Sequence, residues 1–171
     1  MFFEPGTKGV GRGRRGNWNK VLCLNFKGEP RWLALSSYHV GNYKYVTDEH
    51  KRVVSVSGQL VASTQDRNIS QQNKVRKLVN PAGDQAGHLI ACRFGGAGEA
   101  INMIPMRQKL NQGAWKALEN QWAHLLSCGC CVVVEMTLIY DDVLPRPSKI
   151  IVESVFKEGS QTKREKCVFN N

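Results

Sequence analysis

The sequence predicts an α+β fold, with a central antiparallel sheet and few helices. Three stretches carry that prediction. CVVVEMTLIY (131–140) and SKIIVESVF (148–156) each alternate apolar and polar residues, and Asp141 to Pro147 supplies a turn between them. Together they read as one long antiparallel hairpin over 131–156. RVVSVSGQLVAST (52–64) alternates in the same way, and NQGAWKALENQWAHLL places Trp115, Leu118, Trp122 and Leu125 three and four residues apart. That spacing gives a helix one buried face.

At 171 residues with 42% apolar content, the chain is long enough to bury one core without a crosslink. A net charge of +10, from 24 Lys and Arg against 14 Asp and Glu, creates a field that attracts polyanions. Nucleic acid is the leading partner class, an acidic protein the second. A membrane is not expected, because no apolar run approaches the roughly 20 residues needed to span a bilayer and no basic amphipathic helix is present. The N-terminal residues lack the apolar stretch and cleavage pattern of a secretory signal. Six cysteines are scattered apart from Cys128-Gly129-Cys130-Cys131. That group lacks a second Cys/His pair at zinc-finger spacing, which favours thiols over structural zinc.

Residues 1–20 carry Lys8, Arg12, Arg14, Arg15 and Lys20 among glycines. Such a segment cannot pack by itself, so it is set apart as a basic, mobile arm unless the rest of the fold ties it down. It reads either as a solubilising tail or as a phosphate-contacting arm. A single domain is expected over 21–171. VLCLNF and RWLAL, separated by Lys27-Gly28-Glu29-Pro30, read as strands joined by a turn. Residues 36–50, with His39 and His50, read as loop or sheet edge. In 52–64 the break at Ser57-Gly58 suggests two strands joined tightly. DRNISQQNKVRK (66–77) is polar and basic, a connection or short helix whose arginines lead into the next stretch. Near the C-terminus KREKCVF adds a final strand.

Residues 84–122 hold the chemistry. Asn80-Pro81-Ala82-Gly83 punctuates the chain, Gly87 is expected to turn the backbone into His88, and His88 to Ala91 reads as a short strand before the loop Phe94-Gly95-Gly96-Ala97-Gly98. Taken alone, His88 is as compatible with packing as with catalysis. The following helix changes this reading. Asn111 suits its N-cap, and Glu119 lies eight residues on, about 12 Å of rise in an ideal helix. Side chains lean toward the helix N-terminus, so Glu119 can reach a water near Asn111. Phosphodiester hydrolysis needs a base, a cation and a grip on the phosphate chain. His88 can be the base, and the Asn111 carboxamide is a hard oxygen ligand suited to Mg²⁺, which keeps most of its own water.

DQAGHLIACRFGG, INMIPM and LNQGAWKALENQW resemble the DNA/RNA non-specific endonuclease family, the ββα-metal or His-Me finger nucleases, and within it the branch of bacterial polymorphic toxins. YDDVLPRPSKIIVES and the terminal FNN are similar to that branch as well. The resemblance implies a ββα-metal core set on a larger antiparallel sheet and a Mg²⁺ or Mn²⁺ cofactor. It implies His88 as general base, Asn111 as metal ligand, Glu119 as the group orienting water on the metal, and Asn102 as an aid to positioning the loop or those waters. The products would carry 5′-phosphate and 3′-hydroxyl ends. It further implies a delivered effector acting in the cytoplasm of a target cell, and an acidic immunity protein that covers the basic cleft.

The sequence departs from the family at two places. Where many members read Asp-Arg-Gly-His, this chain has Asp84-Gln85-Ala86-Gly87-His88, which puts the role of Asp84 in doubt. The arginine expected one turn after the helical glutamate is Ala123. A transition-state cation must come from Arg93, grouped with the catalytic residues, or from Arg67, Arg107 or Arg146. Arg67, Arg76, Arg107 and Arg146 are the candidate phosphate contacts. A basic nucleic-acid-binding module without catalysis, a partner-docking domain and a nutritional nuclease are the alternative readings.

Overall fold

The computed structural model describes residues 7–79 and 83–171. Its elements run β1 (Thr7–Val10), β2 (Ser37–Val40), β3 (Tyr43–Thr47), β4 (Val53–Gln59), α1 (Ile69–Arg76), β5 (Asp84–His88), β6 (Met103–Arg107), α2 (Gln108–Gln112), α3 (Ala114–Ser127), β7 (Val132–Ile139), β8 (Lys149–Glu158) and β9 (Gln161–Asn170). The fold is α+β. Seven strands form one sheet in the order β1-β2-β3-β4-β7-β8-β9, and β5 with β6 forms a separate pair. Every pairing is antiparallel except β1 with β2, which makes the large sheet mixed rather than purely antiparallel.

The expected C-terminal hairpin is present, with Val132 opposite Phe156 and Ile139 opposite Lys149. Period-two sequence becomes period-two burial, since successive side chains in a strand face opposite sides. Val132, Val134, Met136 and Leu138 are buried, as are Ile150, Val152 and Phe156. KREKCVF falls within β9, paired with β8. The apolar stripe of α3 covers the inward face. Trp115 meets Phe169 edge to face at 5.3 Å, and the Trp122 indole N–H donates to Ser154 Oγ at 3.0 Å, satisfying both polar atoms in the core. The polar stretch 66–77 forms α1, with Asn68 accepting from the Gln71 N–H as N-cap.

Several expectations give way. Residues 52–64 contain one strand, β4 (Val53–Gln59), not two. Gly58 stays in the ladder between Tyr43 and Val134, because a Cβ there would meet the Asn42 carbonyl at 2.4 Å and the Tyr43 ring at 2.7 Å. VLCLNF and RWLAL make a turn of 3-10 helix (Lys20–Leu22) and one isolated bridge, Leu24 to Pro30, instead of a strand pair. Residues 36–50 supply β2 and β3, which lie inside the sheet order rather than in a loop. The strand at the site ends at His88 instead of starting there. Gly87 sits in β5 opposite Ile104, and a Cβ on it would meet the Met106 side chain at 2.8 Å. The glycine allows close packing, not a turn.

The basic arm is also tied down. From Thr7 the chain pairs with β2, and the Gly13 and Asn19 N–H groups both donate to Glu99 Oε1. The fully buried Glu99 carboxylate supplies the anchor that the arm lacks in its own sequence. Residues 1–6 and the punctuation at Asn80-Pro81-Ala82 lie outside the described residues. Among the described residues no helix is long and apolar enough to cross a membrane.

Candidate active site

β5 delivers His88 into a cleft of about 460 Å³ whose walls are α1, β5 and the junction of α2 with α3. The β5–β6 pair fixes the strand end, with His88 opposite Met103. Trp115 of α3 donates its indole N–H to the His88 carbonyl at 3.2 Å, which fastens the strand to the helix beside it. Burial, and then the positive charge of Arg67, push the imidazole pKa down to about 4. The ring is therefore neutral at pH 7. Its Nε2 is buried and has no hydrogen-bond partner among the described residues. A buried, unpaired imidazole nitrogen is costly unless a ligand or water completes it.

Asn111 is not an N-cap. It lies within α2, and the long helix begins only at Ala114, after a break at Gly113 with φ −106° and ψ −106°. A Cβ at Gly113 would approach the Lys109 carbonyl to 2.5 Å, so the break depends on glycine. The break interrupts the single continuous helix expected from the sequence, and Asn111 and Glu119 line the same cleft as His88. The Asn111 amide nitrogen donates to Gln85 Oε1 at 2.8 Å. Among the described residues its Oδ1 has no partner, which leaves a hard oxygen for the cleft. Burial raises the Glu119 pKa, opposed first by the charge of Arg93 and then by that of Lys116.

No group of three or more His, Cys, Asp or Glu residues among the described ones is placed to hold a metal ion. Among the described residues there is thus no cage built from these ligand types alone. One carboxamide oxygen with a nearby carboxylate fits a small hard cation that retains most of its water; it does not fit zinc, which takes three or four N/S/O ligands. All six cysteines are free.

The candidate arginines separate clearly. Arg67 and Arg76 line the cleft, joined by Lys116, which the sequence reading passed over. Lys116 stands three residues before Glu119 on the polar side of the stripe, a spacing visible in sequence. Arg93 lies outside the cleft lining, donates to Asn120 Oδ1 at 2.7 Å and stacks over Phe94 at 5.3 Å. Arg107 is exposed on the end of β6 and does not line the cleft. Arg146, expected to meet phosphate, is instead engaged with Asp84 at 2.8 Å. Asn102 is fully buried. Its Oδ1 accepts from Tyr45 Oη and the Ile90 N–H, and its Nδ2 donates to the Ile90 and Ala97 carbonyls. It braces the glycine loop and has no capacity left for water in the cleft.

A family model described as DNA/RNA non-specific endonuclease matches residues 35–158, from just before β2 through the end of β8. The chain is also 31% identical over 116 residues to the type VII secretion system protein EssD of Staphylococcus aureus strains USA300 and NCTC 8325 / PS 47. A similar match is to EssD of strain Newman. Those alignments cover 64% of this chain and 19% of each relative, so the chain spans about a fifth of their length. The family match takes in the His88 strand, all three helices of the cleft and most of the sheet, and the chain belongs to the DNA/RNA non-specific endonuclease family.

Proposed function

We propose that this chain is a divalent-metal-dependent endonuclease that hydrolyses phosphodiester bonds of DNA, RNA or both with little regard to base sequence. The observation that carries the proposal is a neutral imidazole, its buried Nε2 unpartnered among the described residues, on a histidine that lines a cleft together with Arg67, Arg76 and Lys116. A base that is deprotonated at neutral pH is what activation of a water requires.

On this reading β5, β6 and the α2–α3 pair are the ββα-metal core. Arg67, Arg76 and Lys116 bind the substrate's phosphates through charge, which holds any sequence and either sugar. The neutral imidazole of His88 takes a proton from the attacking water. Trp115 keeps the strand end in place, and Gln85 turns the Asn111 amide so that its oxygen is presented. Asn111 and, less directly, Glu119 are the residues that would hold a Mg²⁺ or Mn²⁺ ion. Bound there, the ion would offset the negative charge that gathers on the phosphate and the leaving 3′ oxygen. The products would carry 5′-phosphate and 3′-hydroxyl ends. Arg67, whose charge bears directly on His88, replaces Arg93 as the first candidate for the transition-state cation.

The relatives' name, a type VII secretion system protein, supports delivery by secretion, and on this reading the chain is a toxin that acts on nucleic acid in a target-cell cytoplasm. Such a toxin needs a neutralising partner in the producing cell, and a +10 chain favours an acidic one that covers the cleft. Incubating plasmid and a structured RNA with the protein and Mg²⁺ tests the activity. Cleavage is expected, with loss in EDTA and in His88→Ala. Tight binding without cleavage at any metal concentration would favour a non-catalytic binding module.

A further inference from the structure

The segment that ties the arm to the domain lies outside the family match, yet it is built as carefully as the cleft. Arg14 and Asn17 exchange both backbone hydrogen bonds, Arg14 N–H to Asn17 at 3.3 Å and Asn17 N–H to Arg14 at 2.8 Å. They close a two-residue turn over Arg15 and Gly16, with Gly16 at φ +85°. The turn is pinned from three sides. The Arg15 N–H donates to Asp66 Oδ2 at 3.0 Å, Glu99 holds Gly13 and Asn19, and the Arg12 guanidinium donates to the Gly95 carbonyl. Trp18 lies against Gly98 so closely that a Cβ there would meet its ring at 2.6 Å.

Those anchors place the turn beside the candidate active site. Asp66, which holds the turn, directly precedes Arg67 of the cleft. Its carbonyl also lies 4.0 Å from the sulfur of Cys92, another cleft residue. Arg14 and Arg15 are exposed, and neither guanidinium has a partner among the described residues. The acidic side chains that hold the turn, Asp66 and Glu99, are engaged by the backbone N–H groups of Arg15, Gly13 and Asn19, not by either guanidinium. Two adjacent cations held on a fixed turn, neither guanidinium paired with a carboxylate among the described residues, repel each other, and a polyanion lying across them relieves that repulsion.

We propose that the Arg14–Asn17 turn is a second phosphate-binding element, over which Arg14 and Arg15 hold the nucleic-acid backbone as the strand leaves the cleft past Arg67. The proposal rests on the nuclease reading for its substrate, and it extends the binding surface beyond the family domain. The backbone ordering cost of the turn is met in the free protein by Asp66 and Glu99, so binding has only the two arginine side chains left to order. They add affinity and register, and carry no base information.

The test measures binding in the His88→Ala background, where cleavage does not interfere. Affinity for a duplex of about 20 base pairs is followed by fluorescence anisotropy across a salt series. Arg14→Gln with Arg15→Gln is expected to lower the log–log salt slope by about 1 to 2, in line with two lost phosphate contacts, and to weaken binding about tenfold at low salt. Asp66→Ala, which frees the turn but keeps both arginines, should cause a smaller loss of affinity. Lys157→Gln with Lys166→Gln removes the same charge from the sheet face turned away from α3, and should leave the slope unchanged. An unaltered slope in the Arg14/Arg15 variant overturns the proposal, and so does an equal fall in both double variants, which would reflect only the overall field. Failure of the nuclease reading shows separately, as absence of cleavage by the unsubstituted protein with Mg²⁺.

Discussion

Arg146 grips Asp84 with two hydrogen bonds, Nε to Oδ2 at 2.8 Å and Nη2 to Oδ1 at 3.2 Å, while its Nη1 donates to the carbonyl of Asn171 at 3.1 Å. The Asp84 side chain is only 3% exposed. This clamp joins the first residue of the His88 strand to the β7–β8 connection and to the last residue of the chain. Arg146→Ala leaves a buried carboxylate without its cation, and should destabilise the protein by about 3 kcal/mol in chemical denaturation. Lysine should restore little of this, since it cannot make the fork. The salt slope of nucleic-acid binding should stay unchanged, because this guanidinium is not available to phosphate. A lower slope with full stability would return Arg146 to the phosphate contacts.

The clamp also shows where sequence runs out. The hairpin of β7 and β8 and the stripe of α3 are legible because alternation and helical spacing are local patterns, repeated over ten or more residues. His88, Asn111 and Glu119 are legible as residue types near one another, and the structure brings all three to one cleft. The Asp84–Arg146 pair spans 62 positions and the Asn19–Glu99 bond spans 80, and no local pattern announces either. Glu99 in particular drew no notice, yet it fixes the arm. Gly58 and Gly87 read from sequence as turns, when each is set by the close approach of a neighbouring strand, and Gly113 carries no local signal although the Lys109 carbonyl one turn back crowds it. The low pKa of His88 comes from burial, which no residue type encodes.

That pKa has a consequence for stability. Folded His88 accepts a proton only near pH 4, against 6.5 for an ordinary histidine. Between those values the unfolded chain binds a proton that the folded chain refuses. Stability contributed by neutral His88 is therefore complete above pH 6.5, falls as pH drops, and levels off below about 4. The whole effect is up to about 3 kcal/mol. Denaturation in EDTA across this range, compared with His88→Gln, should show a difference that narrows toward acid. A pH-independent difference between the two proteins would mean that His88 titrates normally.

Gly113 sets the helix break. In Gly113→Ala the new methyl would meet the Lys109 carbonyl, so α2 and α3 must shift apart or merge into one straighter helix. Either response moves Asn111 relative to Glu119 and His88. A tenfold or greater fall in kcat is expected, with a stability loss of about 1 to 3 kcal/mol. Full activity would show that the break is not what assembles the cleft.

Metal dependence should track Asn111. With the carboxamide removed in Asn111→Ala, the Mg²⁺ concentration for half-maximal cleavage should rise about 10- to 100-fold, with thermal stability little changed because the residue is only partly buried. Gln85→Ala should move the same parameter in the same direction but less, since it only orients the amide. A Mg²⁺ requirement that neither change alters would place the cation elsewhere.

Arg67 and Arg93 are distinguished by what their charges reach. The charge of Arg67 lowers the pKa of His88, whereas Arg93 acts on Glu119 and spends a guanidinium nitrogen on Asn120. If Arg67 stabilises the charge that develops on phosphate, Arg67→Ala should reduce kcat by about 100- to 1,000-fold, and lysine should recover part of it. The same change removes one of the two influences holding the imidazole pKa down, so the acid limb of the kcat/KM profile should move to higher pH. The move should be modest, because burial is the larger cause. Arg93→Ala should cost less than tenfold and leave that limb in place. A larger loss from Arg93→Ala, or an Arg67→Ala effect confined to KM, would transfer the role to Arg93 and leave Arg67 as a substrate contact.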